Sequence, residues 1–475
     1  MKKTVLIVLC AMLLLSSCGT ENAETAADTL QETEQTEITE TEETKEEFIL
    51  PERDFNGETF MFYSTESGNA VNELYRLELN GEAVNDALYS TENAVEELYN
   101  TKIEVTISSA DNNAIMIDTV QLALAGDSDF HVSYGNSVTA AEQQLAGAFV
   151  NLYDIEVFDF SKPWWPKYSV EAMTVGGQMY LGTSYISHSG IASCQAIGMN
   201  MDLAKEYNIE APHQTVLEGK WTLDRLRSLI SETYTDTNGD GQRDIGDTYG
   251  FIGPFWANTL STALDVAFLE KSDTAPYLSV NVNIEKAQSV MGMLYQFAYE
   301  TAGAWFDLSP ISVFTTGNSV FSTTSINDGA TVLRDADFDY SLFPMPKYDE
   351  QQESYYTYGQ SFAYVIPNVG LDLDFVGCVL EALACYRYQD LIPAYSETTL
   401  KKKLADNPDD AQMIEIIIAS RVEPFERLYK SYYGLMNFAE LLQAGDSNYT
   451  TFFEANRTAA ESKLEALNAF YEEHD

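Results

Sequence analysis

The stretch Thr59–Tyr63 reads Thr-Phe-Met-Phe-Tyr, an apolar run that closely follows a glycine and predicts a buried strand. Residues 84–98 carry apolar side chains on one helical face, and those at 103, 105 and 107 alternate with polar residues, as in a half-exposed strand. A second helix over 115–125 and a strand over 130–133 follow. This strand–helix–strand–helix–strand order predicts a mainly parallel sheet in an α/β fold.

Polar and aromatic side chains stand at the ends of two of these strands. Tyr63 and Ser64 close the first strand, and Tyr134, Gly135 and Asn136 follow the third. Ligands of open α/β sheets gather beyond the carboxyl ends of the strands. We therefore predict that Ser64, Tyr134 and Asn136 contact a ligand.

The last third of the chain has helical periodicity. The sequence Asn-Pro-Asp-Asp at 407–410 is typical of a helix start, because it combines a capping side chain, a proline in the first turn and acids near the positive end of the helix dipole. Ala460, Leu464, Leu467 and Tyr471 share one face of a terminal helix. Since the chain after residue 47 exceeds the usual size of a single core, we expect two lobes.

Three cysteines fall in this part of the chain: Cys194, Cys378 and Cys385. An odd number of thiols argues against a disulfide framework. Cys378 and Cys385 lie seven positions apart on a predicted helix, so both can face a core. We interpret all three as small buried apolar groups.

Residues 236–247 have the spacing of an EF-hand-type calcium loop. Side-chain oxygens recur at the first, third, fifth, ninth and twelfth positions, and Gly241 at the sixth permits the sharp turn. No pair of predicted helices flanks the loop, so a bound Ca²⁺ would have a structural role. The alternative is a surface loop of Asx turns. The predicted ligands are Asp236, Asn238, Asp240, Gln242 through its carbonyl, Asp244 and Asp247.

Several segments resemble those of the extracellular solute-binding proteins of ABC importers, in particular the carbohydrate-binding family that includes maltose-binding protein. The likeness is one of pattern and order, and it extends over nearly the whole chain after residue 47. The segments that carry it are Asn151-Leu-Tyr-Asp154, Lys162-Pro-Trp-Trp165, Gly176-Gly-Gln-Met-Tyr-Leu181, Ala196-Ile-Gly-Met-Asn200, Trp221-Thr-Leu-Asp224, Tyr249-Gly250, Leu342-Phe-Pro-Met-Pro-Lys347 and Tyr432-Tyr433.

The resemblance implies a periplasmic-binding-protein-like type II fold, in which two α/β lobes are joined by hinge crossovers and close on a ligand. The boundaries that we expect are 48–185 for lobe one, 186–360 for lobe two, 361–396 for a return to lobe one and 397–475 for a helical end in lobe two. The crossings should fall near 183–189, 358–363 and 396. The implied ligand is a carbohydrate, and the implied partners are ABC permease subunits.

Sugar sites combine aromatic platforms with acids and amides, because sugars present apolar C–H faces and hydroxyl edges. The predicted platforms are Trp165, Trp256, Trp305, Tyr185 and Tyr433. Packing in the core is the alternative role for each of them. Trp164 is interpreted as a packing residue, because neighbours in an extended segment point in opposite directions.

Enzymes are the rival class of function. The chain lacks a Gly-x-Ser-x-Gly elbow, a phosphate-binding Gly-Lys-Ser/Thr loop and a Cys-x-x-Cys pair, and its four histidines are widely separated. With 74 acidic residues, no pair of carboxylates can be singled out as that of a glycoside hydrolase. We therefore expect a protein that is not an enzyme and captures a carbohydrate for import. A surface-anchored glycan-binding adhesin or sensor is the alternative, and an extracellular glycoside hydrolase is a weaker one.

The N-terminus has the features of a bacterial lipoprotein signal. Residues 1–17 contain two lysines, an apolar run and two small residues, and Leu15-Ser-Ser-Cys18 matches the lipobox. The apolar run is too short to span a bilayer. Cys18 is the predicted lipidation site, and two acyl chains there would anchor the protein stably. Residues 18–47 are predicted to be a disordered spacer, since residues 21–47 contain eleven acidic residues and one lysine.

The charge of the chain limits its partners. Its formal net charge of −48 disfavours nucleic acid and anionic membrane surfaces. We expect a monomer on the extracellular face of a bacterial membrane, held there by the lipid anchor alone.

Overall fold

The computed structural model describes residues 48–254, 257–306, 310–359, 362–401 and 408–474. The predicted signal peptide, the acidic spacer and Cys18 lie outside these residues, and so does Trp256. The residues from Phe48 onward form one unit by their internal contacts.

In chain order, the strands of the described residues are β1 (Thr59–Thr65), β2 (Lys102–Ser108), β3 (Val132–Asn136), β4 (Gln195–Asn200), β5 (Tyr249–Gly253), β6 (Leu269–Lys271), β7 (Leu278–Val280), β8 (Ala304–Phe306), β9 (Ser319–Ser325), β10 (Tyr340–Phe343), β11 (Thr357–Tyr358), β12 (Phe362–Val365) and β13 (Arg421–Val422). The α-helices are α1 (Ala70–Leu74), α2 (Ala83–Tyr99), α3 (Ala114–Ala125), α4 (Ser137–Gln143), α5 (Lys167–Met173), α6 (Ser189–Ala192), α7 (Met201–Glu206), α8 (His213–Leu217), α9 (Leu223–Ile230), α10 (Ala257–Ala263), α11 (Ile284–Tyr295), α12 (Pro310–Phe314), α13 (Ile326–Ala330), α14 (Leu373–Tyr395), α15 (Pro408–Ala419), α16 (Phe425–Leu428), α17 (Lys430–Tyr433), α18 (Phe438–Gln443) and α19 (Tyr449–Glu473).

The first sheet has the strand order β12-β3-β1-β2. As predicted, β1 pairs in parallel with β2 and β3, and Phe62 lies beside Val105 on one side and Val132 on the other. Helices α1, α2 and α3 pack against these strands. Phe62 and Val132 are therefore fully buried. We call this sheet and its helices the first lobe.

One residue of β2 departs from the predicted alternation. Ile107 was grouped with Ile103 and Val105 on the buried side, but 51% of its surface is exposed, whereas Ile103 is buried. β2 is the edge strand of the sheet in the described residues, and only Ile103 of its seven residues is buried. The alternation of apolar and polar residues predicts the strand, but it does not show which of its apolar residues other elements cover.

The second sheet has the order β10-β4-β9-β5-β8 and forms the second lobe with its helices. β5 pairs in parallel with β8 and β9, while β4 runs antiparallel to β9 and β10. Its central strands carry buried aromatic and aliphatic side chains, such as Ile197, Phe251 and Phe321. The sheet is thus mixed, in an α/β arrangement.

The chain returns to the first lobe after β11. β12 pairs antiparallel with β3, and the long helix α14 packs against α2. Cys378 and Cys385 lie on α14 and are buried and free, as is Cys194, which confirms the interpretation of all three. The start of α14 is capped by Asp372, whose carboxylate accepts the amides of Asp374 and Phe375.

The helical end of the chain contacts both lobes. Helices α18 and α19 pack against α10 and α11 of the second lobe, whereas α16 packs against α4 of the first. Gln144 of the first lobe donates to the hydroxyl groups of Tyr429 and Tyr471, and these two hydroxyls lie 2.9 Å apart. Ala460, Leu464, Leu467 and Tyr471 are buried together, as their spacing predicts.

None of the described helices is both long enough and apolar enough to span a membrane.

Candidate functional site

A small cavity lies beside the segment 182–190, which leads from the first lobe into the second. Its walls come from β3 and β12 of the first sheet, from α5 and the proline before it, from this connecting segment and from Glu423, which follows β13. The described residues that line it are Tyr134, Pro166, Tyr168, Ser169, Gly182, Thr183, Ser184, Tyr185, Ile186, Ser187, Ser189, Gly190, Phe362 and Glu423.

The space inside this cavity is about 20 Å³, which is room for about one water molecule. A ligand the size of a sugar therefore needs the walls to separate before it can enter. Segments that connect two lobes are where such movements are absorbed. The cavity as the structure describes it is too small for a sugar.

The connecting segment is held against the first sheet by backbone pairing. Gly182 and Tyr364 exchange two hydrogen bonds of 2.9 Å. The tyrosine ring lies against the glycine, and a Cβ atom on residue 182 would be 2.1 Å from the Cζ atom of Tyr364. Only glycine allows this approach, which fixes where the segment leaves the sheet.

Tyr134, a predicted ligand residue, lines the cavity from β3. Its hydroxyl bonds the Oγ atoms of Ser187 and Ser189 at 2.8 and 3.3 Å. Ser64 lies behind it and donates to its carbonyl oxygen at 3.2 Å. Burial raises the pKa of Tyr134, so its hydroxyl stays protonated. Ser64 therefore supports the wall, and Tyr134 forms it.

Tyr185, the second predicted residue at the cavity, is half-buried and belongs to an aromatic and cationic group. Its ring lies 5.7 Å from that of Tyr388, and its hydroxyl accepts from Arg421 at 3.3 Å. The guanidinium also donates to the carbonyls of Ile418 and Gly190 and lies over the ring of Tyr168. Arg421 thus holds two tyrosines of the wall from behind.

Glu423 brings a carboxylate to the cavity. It follows β13, which pairs with β11, and only 8% of its surface is exposed. No lysine or arginine is among the described residues that line the cavity. The walls therefore combine three tyrosines and a phenylalanine with five hydroxyl side chains and one acid.

A buried ion pair supports the connecting segment from the other side. Arg387 of α14 is fully buried and donates to the Oε1 atom of Glu92 at 2.9 Å and to the carbonyl of Ile186 at 2.5 Å. Burial raises the pKa of Glu92 to about 7, although Arg387 opposes the shift. Next to this pair, burial lowers the pKa of His188 to about 4, and the charges of Arg76 and Arg387 add to the effect.

Trp165 does not line the cavity, contrary to its predicted role as a stacking platform. It is 2% exposed, and its indole donates to the Oε2 atom of Glu381 at 2.9 Å. Trp164 donates to the other oxygen of the same carboxylate at 2.8 Å. The expectation that the two indoles point in opposite directions is therefore wrong, because residues 161–165 form turns rather than an extended strand.

The other predicted ligand residues also lie elsewhere or outside the described residues. Asn136 caps α4 by accepting the amide of Thr139 at 3.0 Å. Trp305 stacks on Tyr249 at the edge strand β8, with ring centroids 5.1 Å apart. Tyr433 is buried in the core at the end of α17. Trp256 is not among the described residues.

Residues 236–247, the predicted calcium loop, form successive Asx turns. Asp236 accepts the amides of Gly239 and Gly241 at 2.7 and 3.0 Å. The side chains of Asn238, Asp240 and Asp244 each accept the amide two positions later. These hydrogen bonds from side chain to backbone form the turns of the loop without an ion.

The last predicted ligand of the loop is fully buried. Asp247 accepts from the hydroxyl of Tyr234 at 2.9 Å and from the amide of Thr237 at 3.2 Å. Within the described residues, no group of three or more His, Cys, Asp or Glu side chains is placed to hold a metal ion. Calcium binding at Asp236, Asn238, Asp240, Gln242, Asp244 and Asp247 stays a prediction.

Tyr168, Phe362 and Glu423 were not predicted as site residues. The available signal was the hydroxyl-rich run Gly182-Thr-Ser-Tyr-Ile-Ser-His-Ser-Gly190, since a crossing near 183–189 was expected and a crossing segment borders the cleft. No local pattern distinguishes Glu423 from the other acids.

No protein-family model matches the sequence, and no curated protein does. Solved structures do match. A substrate-binding protein of Listeria monocytogenes in complex with cycloalternan is 14% identical, covers 88% of this chain and 99% of its own, and gives a TM-score of 0.55. The chain has the two-lobed fold of ABC sugar-binding proteins. The predicted fold class is thereby confirmed.

Two further structures show how varied the ligands on this solute-binding fold are. The cyclic α-maltosyl-1,6-maltose binding protein of Arthrobacter globiformis is 11% identical, covers 87% of this chain and 99% of its own, and has a TM-score of 0.57. UgpB of Mycobacterium tuberculosis in complex with glycerophosphocholine is 13% identical, covers 88% and 98%, and has a TM-score of 0.55. At such identities the likeness shows the fold, and the ligand has to be inferred from the residues of the site.

Proposed function

We propose that this protein is the substrate-binding component of an ABC importer and captures a carbohydrate reversibly in the cavity beside residues 182–190. The observation that carries the proposal is the composition of the walls. Tyrosine rings offer faces for the C–H surfaces of a sugar, and the surrounding hydroxyls and the carboxylate of Glu423 offer partners for its hydroxyl groups. These groups converge where the chain passes between two lobes.

Binding would couple to closure of the lobes. The cavity as described is too small for a sugar, so capture would begin with the walls apart and end with the ligand enclosed. The enclosed ligand stabilises the closed state by the difference between its affinities for the two states. The permease would then recognise the closed form.

The proposal includes the location of the protein. Cys18 would carry the lipid anchor, and residues 18–47 would serve as a spacer between the membrane and the binding lobes on the outer face of the cell. Metabolic labelling with palmitate should give a labelled band in the producing bacterium. The Cys18→Ala variant should lose the label, and the Cys194→Ala variant should keep it as a matched control.

Thermal denaturation of the intact protein with a library of mono- and oligosaccharides tests the function. We expect one sugar class to raise the midpoint by several degrees at a hundred-fold excess over its Kd. Tyr134→Ala and Tyr185→Ala should abolish that shift, whereas Trp305→Ala should leave it unchanged. Stabilisation only by peptides or polyamines would refute carbohydrate as the ligand, and hydrolysis of an added glycan would refute the binding protein in favour of an enzyme.

The same proposal covers calcium at the loop 236–247, in a structural role. The spacing of its oxygen-bearing side chains supports it, and the buried carboxylate of Asp247 would close the site. The ion would hold the turns between α9 and β5, away from the sugar cavity.

A further inference from the structure

The ammonium group of Lys271 closes the C-terminal end of α5. Lys271 lies in β6, 97 to 100 positions further along the chain. Its Nζ atom donates to the carbonyl oxygens of Glu171, Ala172 and Thr174, the last two at 3.1 and 3.0 Å. The last carbonyls of a helix have no partner within it, and a lysine can satisfy them and complement the negative end of the helix dipole. One side chain thus holds the end of α5 from outside the helix.

The other end of α5 belongs to the cavity. Tyr168 and Ser169, in the first turn of the helix, line the cavity, and so does Pro166, which precedes it. The hydroxyl of Ser169 also forms a hydrogen bond with the hydroxyl of Thr183 in the connecting segment. Because α5 has seven residues, its ends are only about 9 Å apart at 1.5 Å per residue. What fixes the C-terminal end of so short a helix therefore also fixes Tyr168 and Ser169.

The same ammonium contacts the chain that follows Glu423. It lies over the ring of Phe425, 5.3 Å from the ring centroid, at the start of α16. The face of an aromatic ring attracts a cation. Glu423, two positions before this ring, lines the cavity, whereas Lys271 is not among the described lining residues. Lys271 therefore joins two parts of the chain that lead into the cavity walls, and it does so from outside the cavity.

The hairpin that carries Lys271 is itself well supported. β6 pairs with β7, and the side chain of Asn468 in α19 accepts the amide of Leu278 at 2.9 Å and donates to its carbonyl oxygen at 2.8 Å. The ring of Tyr277 lies against Gly176, where a Cβ atom would be 2.8 Å from the Cζ atom of the ring. The ammonium is thus presented to α5 from a fixed position.

We propose that Lys271 is a positioning residue for the carbohydrate site, which holds Tyr168 and Ser169 in the cavity wall without touching the ligand. This inference rests on the proposed function of the same cavity. Without the ammonium, three carbonyls at the end of α5 lose a donor, and the helix is free to shift. The affinity for the sugar then falls, because ordering the displaced wall around the ligand costs free energy that the fixed wall does not.

Isothermal titration calorimetry on the intact protein tests the proposal. The probe is the saccharide that gives the wild-type protein its largest thermal shift. Lys271→Met keeps an unbranched apolar side chain but removes the charge and the donors, so we expect the Kd to rise roughly three- to thirty-fold. Lys271→Arg restores a cation with several N–H donors that can also stack on Phe425, and it should recover most of the lost affinity.

Lys286→Met is the matched control. Lys286 of α11 also combines a polar contact with a ring, since its Nζ atom lies 2.6 Å from a carboxylate oxygen of Asp265 and 5.5 Å from the ring centroid of Tyr348. Neither partner is among the described residues that line the cavity. Lys286→Met should therefore leave the Kd unchanged. The thermal midpoint of each variant without ligand separates a loss of stability from a loss of affinity.

A milder variant covers the case in which Lys271→Met does not fold. Lys271→Gln keeps two N–H donors and loses only the charge, so it should also raise the Kd, by a smaller factor than Lys271→Met. An unchanged Kd in Lys271→Gln would then contradict the part played by the charge at the end of α5.

Three outcomes would overturn the proposal while leaving the carbohydrate receptor intact. An unchanged Kd for Lys271→Met beside a lower thermal midpoint would limit Lys271 to stability. An equal rise in Kd for Lys286→Met would assign the effect to general destabilisation. A rise that Lys271→Arg does not reverse would show that the charge and donors of Lys271 do not position α5. An absence of binding of every saccharide to the wild-type protein would reject the proposed function itself, and this inference with it.

Discussion

The guanidinium of Arg387 reaches from α14 to the carbonyl oxygen of Ile186, 2.5 Å away, in the segment that borders the cavity. The same side chain is fully buried and forms an ion pair with Glu92 of α2. Two helices of the first lobe thereby fix the backbone at the wall of the site. Burying the pair is costly, so its value lies in the position that it imposes on residues 182–190.

Arg387→Met should lower the free energy of unfolding by roughly 3–5 kcal/mol, because it leaves the carboxylate of Glu92 buried without a cation. The double variant Arg387→Met/Glu92→Gln should recover much of this loss. Urea denaturation of the single and double variants measures both effects. Arg334→Met removes an exposed ion pair with Asp335 and should cost less than about 0.5 kcal/mol. An equal loss of unfolding free energy in the single and double variants would contradict the predicted interaction between Arg387 and Glu92.

The carboxyl group of Glu381 should make stability depend on pH. Burial raises its pKa to about 7, against the bonds from Trp165 and Trp164 that lower it. A raised pKa in the folded state means that the native protein binds the proton more tightly than the unfolded chain. The contribution is therefore complete below about pH 4.5 and is lost as the pH rises through about 7.

Glu381→Gln removes this titration, so the stability of the wild-type protein relative to the variant should fall by up to roughly 3 kcal/mol between pH 5 and pH 8. Denaturant titrations at four pH values over this range provide the measurement. Glu415→Gln serves as the comparison, because that acid is exposed on α15. A constant difference between the wild type and Glu381→Gln would show that Glu381 does not titrate differently on folding.

Two glycines should respond to alanine with opposite signs. Gly182→Ala puts a Cβ atom 2.1 Å from the ring of Tyr364 and should destabilise the protein by about 1–3 kcal/mol. Because the clash displaces the wall of the cavity, it should also weaken sugar binding. Gly292 lies within α11 with open space around its Cα, and Gly292→Ala should stabilise by about 0.5–1 kcal/mol. Thermal denaturation distinguishes the two variants. A Gly182→Ala variant as stable as the wild type would contradict the close contact between residue 182 and the ring of Tyr364.

Calcium should raise the thermal midpoint of the intact protein if the loop 236–247 binds it. We expect an increase with millimolar Ca²⁺ that EDTA reverses and that Mg²⁺ does not reproduce, since the loop supplies the irregular oxygen set that Ca²⁺ accepts. Asp240→Ala should abolish the increase, and Asp273→Ala, outside the loop, should not. A midpoint that is the same with calcium and with EDTA would exclude the site.

Much of the first lobe could be predicted, because its elements have local periodicity. The run Thr59–Tyr63 and the helix around Val95 lie where their patterns place them. Tyr134 and Tyr185 line the cavity, one from the end of a strand and the other from an expected crossing, and their contact with a ligand stays a prediction. These positions follow from the order of elements, which sequence does encode.

The rest depends on contacts between distant positions. Trp165 was assigned to the ligand because its residue type suits a sugar, but its indole is bound by Glu381, 216 positions away. Glu423 could not be selected because 74 acidic residues share its chemistry, and only the fold places this one at the cavity. The positions of Trp165 and Glu423 thus depend on tertiary contacts and not on local sequence preference.

The pairing of β3 with β12 joins residues about 230 positions apart in the chain. During synthesis, Tyr134 is made early, but the strand that flanks it appears only after most of the second lobe has been completed. A ribosome or translocation channel therefore delivers the first sheet with one edge open, and that edge can aggregate until Phe362–Val365 arrives. Factors that hold the nascent chain should matter most in this interval, because loop closure over such a distance is slow.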